Sequence, residues 1–368
     1  MRSSRVAAAS PKRLFDAQGP WLFGRSTDLI AFGGSALLSF AILGVGVATG
    51  VLDHDIPDWI FFACIVAVDV AHVWSTLFRV YFDGAEVRRR PLVYLGLPVV
   101  LYGLSVLLHA AGSLVFWRVL AYVAVFHFIR QQVGWMRLYN GRDTTASKHE
   151  KTLNITAIYL STLYPVIWWH GHLPRSFHWF LEGDFVVGLS AQAATFLFPV
   201  YVATLVSFFV WHLRRMHQGA GQPGMVLLVL TTAATWYLGI VAFNSDLAFT
   251  VTNVIIHGAP YFVLTFRYAR KRSAEDAPLL RRLVGRRLGV AAAVFALIVL
   301  SFALGEEFLW DRLVWHERPP WFGESSELSS FALVFIVPLL SLPQLTHYAL
   351  DGLVWRRRDN PTLSSTQR

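Results

Sequence analysis

Apolar residues run along this chain in long blocks, unlike the period-two alternation of a half-buried strand or the single stripe of a surface helix. Ten blocks stand out, roughly 28–51, 58–81, 91–111, 114–136, 152–169, 186–211, 225–243, 247–267, 288–304 and 328–355. Most reach about 20 residues, the length a helix needs to cross hydrocarbon. Short polar segments, many with Gly or Pro, separate them. The pattern predicts an all-α integral membrane protein, a polytopic bundle of about ten transmembrane helices. The first block is too long for the apolar core of a signal peptide and is expected to be retained.

The charges between the blocks predict orientation. Arg88, Arg89 and Arg90 follow block two; Arg137 to Lys151 follow block four; Arg214 and Arg215 follow block six. Arg267 to Arg287 follow block eight, and Arg356 to Arg358 end block ten. Segments after the odd-numbered blocks are poor in Lys and Arg. Positive residues collect on the cytoplasmic side, so both termini are expected there. The expected organisation is a cytoplasmic arm over 1–26, one transmembrane domain over 27–356, and a cytoplasmic tail over 357–368.

Composition agrees. The chain is 55% hydrophobic and only 15% charged, against about 25% charged in an ordinary soluble domain. The net charge of +9 sits in the loops, which points to orientation and anionic lipid and away from nucleic acid. The single cysteine, Cys64, excludes an intrachain disulfide and a thiolate cluster.

Four blocks carry polar pairs where the pattern asks for apolar residues. Asp69 precedes His72 by three residues, and His127 precedes Arg130 and Gln131 by three and four. Asn253 precedes His257 by four, and His347 precedes Asp351 by four. Each spacing puts a pair on one helix face. The four blocks are two, four, eight and ten, which all run from outside to inside. The first inner arginine lies seven, ten, ten and nine residues beyond the respective histidine. At 1.5 Å per residue, all four imidazoles lie roughly 10–15 Å from the inner surface. Four histidines at one depth on parallel helices can share a plane.

Ionisable groups in hydrocarbon are costly and call for a partner or a function. His72, His127, His257 and His347 are candidate metal ligands, with Asp69 and Asp351 as further ligands or as orienting partners. Mixed imidazole and carboxylate ligands suit iron, manganese or zinc better than copper(I). Helix bundles build dinuclear carboxylate centres on a related spacing. Gln131 and Asn253 are candidate weak ligands or hydrogen-bond donors to the imidazoles. Arg130 is placed to neutralise a carboxylate or hold an anionic headgroup. The competing readings are hydrogen bonds between helices, a b-type haem held by two histidines, and a proton or cation path. No internal repeat of the transporter kind is evident.

Other histidines read more plainly. His170, His172 and His178 sit in an aromatic loop that suits the membrane interface. His212 and His217 have a spacing known from membrane desaturases, but the HxxHH companions of that family are missing.

The stretches His127-Phe128-Ile129-Arg130-Gln131-Gln132-Val133-Gly134-Trp135 and His347-Tyr348-Ala349-Leu350-Asp351-Gly352-Leu353-Val354-Trp355 resemble segments of uncharacterised multi-pass bacterial membrane proteins. The resemblance implies the bacterial inner membrane and brings no activity. From the residues themselves the leading expectation is a membrane-embedded, metal-dependent oxidoreductase. Iron, as one ion or a pair, is the expected cofactor. The expected substrate is lipid-soluble (an acyl chain, an isoprenoid or a carotenoid), and the expected partners are membrane lipids and an electron-donor protein. A transporter or channel is the second expectation, and a b-haem protein the third.

Overall fold

The computed structural model describes residues 21–355. The first 20 residues of the expected arm, and the whole 357–368 tail, lie outside the described residues. Among the described residues, nine helices are long and apolar enough to cross a membrane. They are α1 (Arg25–Thr49), α2 (Asp58–Arg79), α3 (Leu92–Ala111), α4 (Ser113–Arg142), α6 (Ala191–His217), α7 (Pro223–Ala242), α8 (Asp246–Ser273), α9 (Leu288–Trp315) and α10 (Ser330–Val354). The tenth expected element, α5 (Lys148–Gly171), is also a helix. Its Tyr, Trp, Thr, Ser and Pro residues leave it less apolar than the other nine.

The chain is a multi-pass, all-α membrane protein. Large apolar side chains point outward where a soluble protein would place charge. Leu92 is 87% exposed, Phe196 77% and Phe331 76%. Such extensive apolar surface is stable only against lipid.

Four helices outrun their apolar blocks. α4 continues to Arg142, α6 to His217 and α8 to Ser273, where the added turns carry charge. α9 continues through Glu306, Glu307 and Asp311 to Trp315, although the sequence suggests an acidic loop from 305 onward. Polar partners make this tolerable. Glu306 Oε2 accepts from Trp74 Nε1 at 2.7 Å, and Asp311 Oδ1 accepts from the backbone N–H groups of Glu317 and Arg318.

The chain forms two compact units. The first contains α1, residues 128–142 of α4, α5, α6, α7 and residues 246–256 of α8. Within it, Asp28 accepts from the backbone N–H groups of Leu22 and Phe23 and from the Tyr139 hydroxyl. Arg215 on α6 donates to Asp143 at 2.8 Å and also to Glu150 at the start of α5.

The second unit contains α2, α3, residues 113–127 of α4, residues 257–273 of α8, α9 and α10. A core of Phe61, Val66, Val70, Phe78, Phe295 and Val299 joins α2 to α9. Trp117 packs on Trp310 and Trp315. Departures from straight α-helix in two of the histidine-bearing helices bear on the site. Phe61–Val70 of α2 is π-helical, a wider winding that often marks functional positions. α10 breaks at Ser341, between the segments Ser330–Leu340 and Leu342–Val354. Pro338 and Pro343 flank the break, each lacking an N–H and crowding the preceding turn.

Candidate metal centre

All four histidines singled out by depth belong to the second unit. His72 comes from α2, directly after the π-helical stretch; His127 from α4; His257 from α8; and His347 from α10, six residues past its break. One nitrogen of each lies within 4.8 Å of those of the other three. Every one of the four is at least 96% buried. Their rings form a closed square of edge contacts. Ring centroids are 4.6 Å apart for His72–His257 and 5.1 Å for His257–His127. They are 4.8 Å apart for His127–His347 and 4.9 Å for His347–His72.

The approach of α8 to α2 depends on the residue beside His257. A Cβ added to Gly258 would lie 2.6 Å from Val68 Cγ1 and 3.0 Å from the Val68 carbonyl oxygen. Glycine lets the two backbones close far enough for His257 Nε2 to stand 3.1 Å from His72 Nε2. Tyr261 and Tyr348 complete the walls. Tyr261 meets the His72 and His347 rings edge-on, and Tyr348 stacks on His127 at 4.5 Å.

Oxygen atoms stand behind three of the rings. His72 Nδ1 is 3.3 Å from the Val68 carbonyl and 3.7 Å from Asp69 Oδ1. Both oxygens only accept, so Nδ1 holds the proton and Nε2 turns its lone pair inward. His347 Nδ1 is 2.8 Å from the Thr76 hydroxyl, and its Nε2 has no hydrogen-bond partner among the described residues. His127 Nδ1 is 3.9 Å from Asp351 Oδ2. The 3.1 Å approach of His257 Nε2 to His72 Nε2 requires a shared proton or a cation between the two nitrogens. Metal–nitrogen bonds of about 2 Å put ligand nitrogens about 3–4 Å apart around one ion, so the spacing fits a single metal with a small inward adjustment.

Asp69 and Asp351 approach the His72 and His127 rings at 3.7 Å and 3.9 Å, longer than a direct hydrogen bond. They face ring nitrogens from outside, as carboxylates commonly do behind metal-bound histidines. Arg130, Gln131 and Asn253 belong to the first unit. Arg130 Nη1 donates to the Tyr159 hydroxyl at 2.6 Å. Gln131 is buried, with neither amide atom hydrogen-bonded among the described residues. Asn253 Nδ2 donates to the Phe249 carbonyl at 2.8 Å.

Thr76, Tyr261 and Gly258 belong to the site as well, without standing out in the sequence. Thr76 and Tyr261 each lie four residues after a histidine of the square, one turn on along the same face. That signal was present but weak, because Thr and Tyr are common in membrane helices. Of the remaining histidines, His212 Nε2 pairs with Asn154 Oδ1 at 2.8 Å inside the first unit. His172 stacks on Trp168.

No protein-family model, curated protein or solved structure matches this chain.

Proposed function

We propose that the protein is a membrane-embedded, metal-dependent oxidoreductase acting on a lipid-soluble substrate such as an acyl chain, an isoprenoid or a carotenoid. We place it in the bacterial inner membrane with both termini in the cytoplasm. The observation that carries the proposal is the buried square of four imidazoles with oxygen partners behind the rings. An all-nitrogen set suits iron, zinc or copper(II). Iron is proposed over zinc because it also supplies redox chemistry, with electrons delivered by a donor protein. The chain's own residues orient the ligand rings and keep water from the centre through a wall of Tyr261, Tyr348 and aliphatic side chains.

A b-haem is the weaker alternative. A porphyrin between two axial histidines needs a wide flat gap around the iron, and here the other two imidazoles occupy that space in edge contact. A proton or cation path is the second reading. It is favoured by Glu306, which is half-buried on α9, and by Glu307, which is buried there; the metal reading leaves both unused.

Elemental analysis tests the proposal. Protein purified from cells supplied with iron, manganese and zinc is expected to hold stoichiometric metal, and His347→Ala to lose it. Metal-free wild-type protein from such cells would overturn the oxidoreductase reading. PH-coupled flux that disappears in Asp351→Asn would then support the ion path.

A further inference from the structure

Beside the square, in the second unit, lies a cavity of about 290 Å³ between α2, α3 and α10. His347 forms part of its wall, with Trp74 and Leu77 of α2, Pro98 of α3, and Leu339 and Thr346 of α10. The break in α10 at Ser341 leaves this gap: Pro343, just past the break, is also in the wall. Its rim reaches the lipid-facing surface, where Leu339 is 49% exposed and Val99, next to Pro98, is 71% exposed.

The wall contains no Asp, Glu, Lys or Arg. A carboxylate or phosphate headgroup would lose its hydration there with no counter-charge, which costs several kcal/mol or more. Most polar atoms of the wall are engaged. The Thr76 hydroxyl meets His347, the Tyr81 hydroxyl donates to the Tyr94 carbonyl, and Trp74 Nε1 donates to Glu306. Thr346 differs. It is 7% exposed, and its hydroxyl has no partner among the described residues. Other buried threonines, Thr252 and Thr265 of α8 among them, bond back to the carbonyl four residues earlier. A buried hydroxyl with no partner among the described residues, in the wall of the cavity, is a place for one neutral hydrogen-bonding group.

We infer that this slot admits the substrate from the bilayer as an extended hydrocarbon chain that carries an uncharged oxygen function, a hydroxyl or a carbonyl, at its inserted end. Thr346 is the positioning residue that hydrogen-bonds that oxygen beside the histidine square. The volume is at the lower limit for ligand pockets of roughly 300–1,000 Å³, so it takes a chain end and not a fused-ring body. The inference rests on the metal-centre reading for what happens at the square, but not for binding itself.

Photolabelling of the full-length protein in nanodiscs tests it, with a long-chain primary alcohol bearing a mid-chain diazirine. Matched alkane, carboxylic acid and sterol diazirines serve as comparisons. The alcohol is expected to label the segments 73–77 and 339–347 preferentially, and Leu77→Trp to reduce that labelling at least tenfold with metal content unchanged. Thr346→Val is expected to weaken alcohol labelling about 2–10-fold, the loss of one neutral hydrogen bond, with alkane labelling unaltered and Thr346→Ser restoring it. Labelling spread evenly over the lipid-facing helices, equal labelling by the acid or the sterol, or indifference to Leu77→Trp would overturn the inference. Slot labelling in metal-free wild-type protein would uphold it and defeat the metal reading. Bound metal with no slot labelling would do the reverse.

Discussion

Removing Thr76 should show how the square is held. Its hydroxyl lies 2.8 Å from His347 Nδ1, leaving Nε2 to turn toward the other three nitrogens. In Thr76→Val that partner is gone, the His347 ring loses the contact that orients it, and metal affinity should fall roughly 10–100-fold, the usual cost of losing a partner behind a ligand. Thr76→Ser should keep most of the affinity. His347→Ala removes a donor atom and should lose more metal than Asp351→Asn. Competitive titration against a chelator of known affinity checks the series, and equal retention in Thr76→Val would refute the orienting role. Gly258 sets a second condition. Gly258→Ala would drive a methyl against Val68, costing about 1–3 kcal/mol of overpacking and separating His257 from His72. Gly103→Ala on α3, where nothing lies within 4 Å, is the control and should leave thermal stability and metal content intact. The sequence made the four histidines legible because polar residues inside apolar blocks are costly and conspicuous. It could not rank the residues around them: the value of Gly258 lies in contact with Val68, 190 positions away along the chain.

At the scale of elements, the ends of α2 and α8 are tied by charge outside the apolar blocks. Asp83 accepts from Arg272 Nε at 2.6 Å and from the Tyr268 hydroxyl at 3.0 Å, and it caps the short helix Gly84–Arg89. Glu86 accepts from Arg89 and Tyr94 and lies 3.4 Å from Arg79. Burial alone would raise both carboxyl pKa values. The Arg272 hydrogen bonds and charge, with Tyr268, outweigh it and hold Asp83 below its usual range; Arg89, Arg79 and Tyr94 do the same for Glu86. A carboxylate with a depressed folded pKa stabilises fully above its unfolded pKa and loses that contribution as pH falls through the folded value. Thermal stability in detergent should therefore hold from neutral pH to about pH 4.5 and drop below it. Asp83→Asn should cost about 2 kcal/mol at pH 7 and flatten the acid limb; an unchanged limb would exclude this pair as its origin. The cap of Asp83 on the Glu86 N–H is a local contact across three residues and is readable from sequence spacing. The link of Asp83 to Arg272 is not, because the pairing joins residues 189 positions apart. The same limit explains α9: Glu306 reads as loop until Trp74 supplies its hydrogen bond.

Across the whole molecule the open question is whether α5 is a tenth crossing, because every later loop changes side with it. Its charged residues, Lys148, Glu150 and Lys151, all lie in the first turn, and residues 152–171 contain no Asp, Glu, Lys or Arg. Twenty-four residues of helix extend about 36 Å, enough to span the hydrocarbon. Its polar side chains are satisfied locally: Ser161 donates to the Ala157 carbonyl, Thr162 to the Tyr159 carbonyl and Asn154 to Asn140. Within the first unit α5 also runs antiparallel to α6 along its whole length. Glu150 at its start meets Arg215 near the end of α6, and Gly171 at its end is so close to Ala191 at the start of α6 that an added Cβ would lie 2.9 Å from the Ala191 Cα. A helix paired end to end with a crossing helix is expected to cross with it. The charge pattern then predicts the direction, and the few basic residues on the expected outer side are engaged. Arg175 donates to the Phe243 carbonyl, Arg318 lies over Phe61 beside Asp58, and Arg312 lies over Phe308. Paired phosphatase and fluorescent-protein fusions at Ser147, Gly171 and Ala274 should report inside, outside and inside. If α5 did not cross, the same three positions would report inside, inside and outside. That outcome would remove both the tenth crossing and the common direction of the four histidine-bearing helices from which the shared depth was argued.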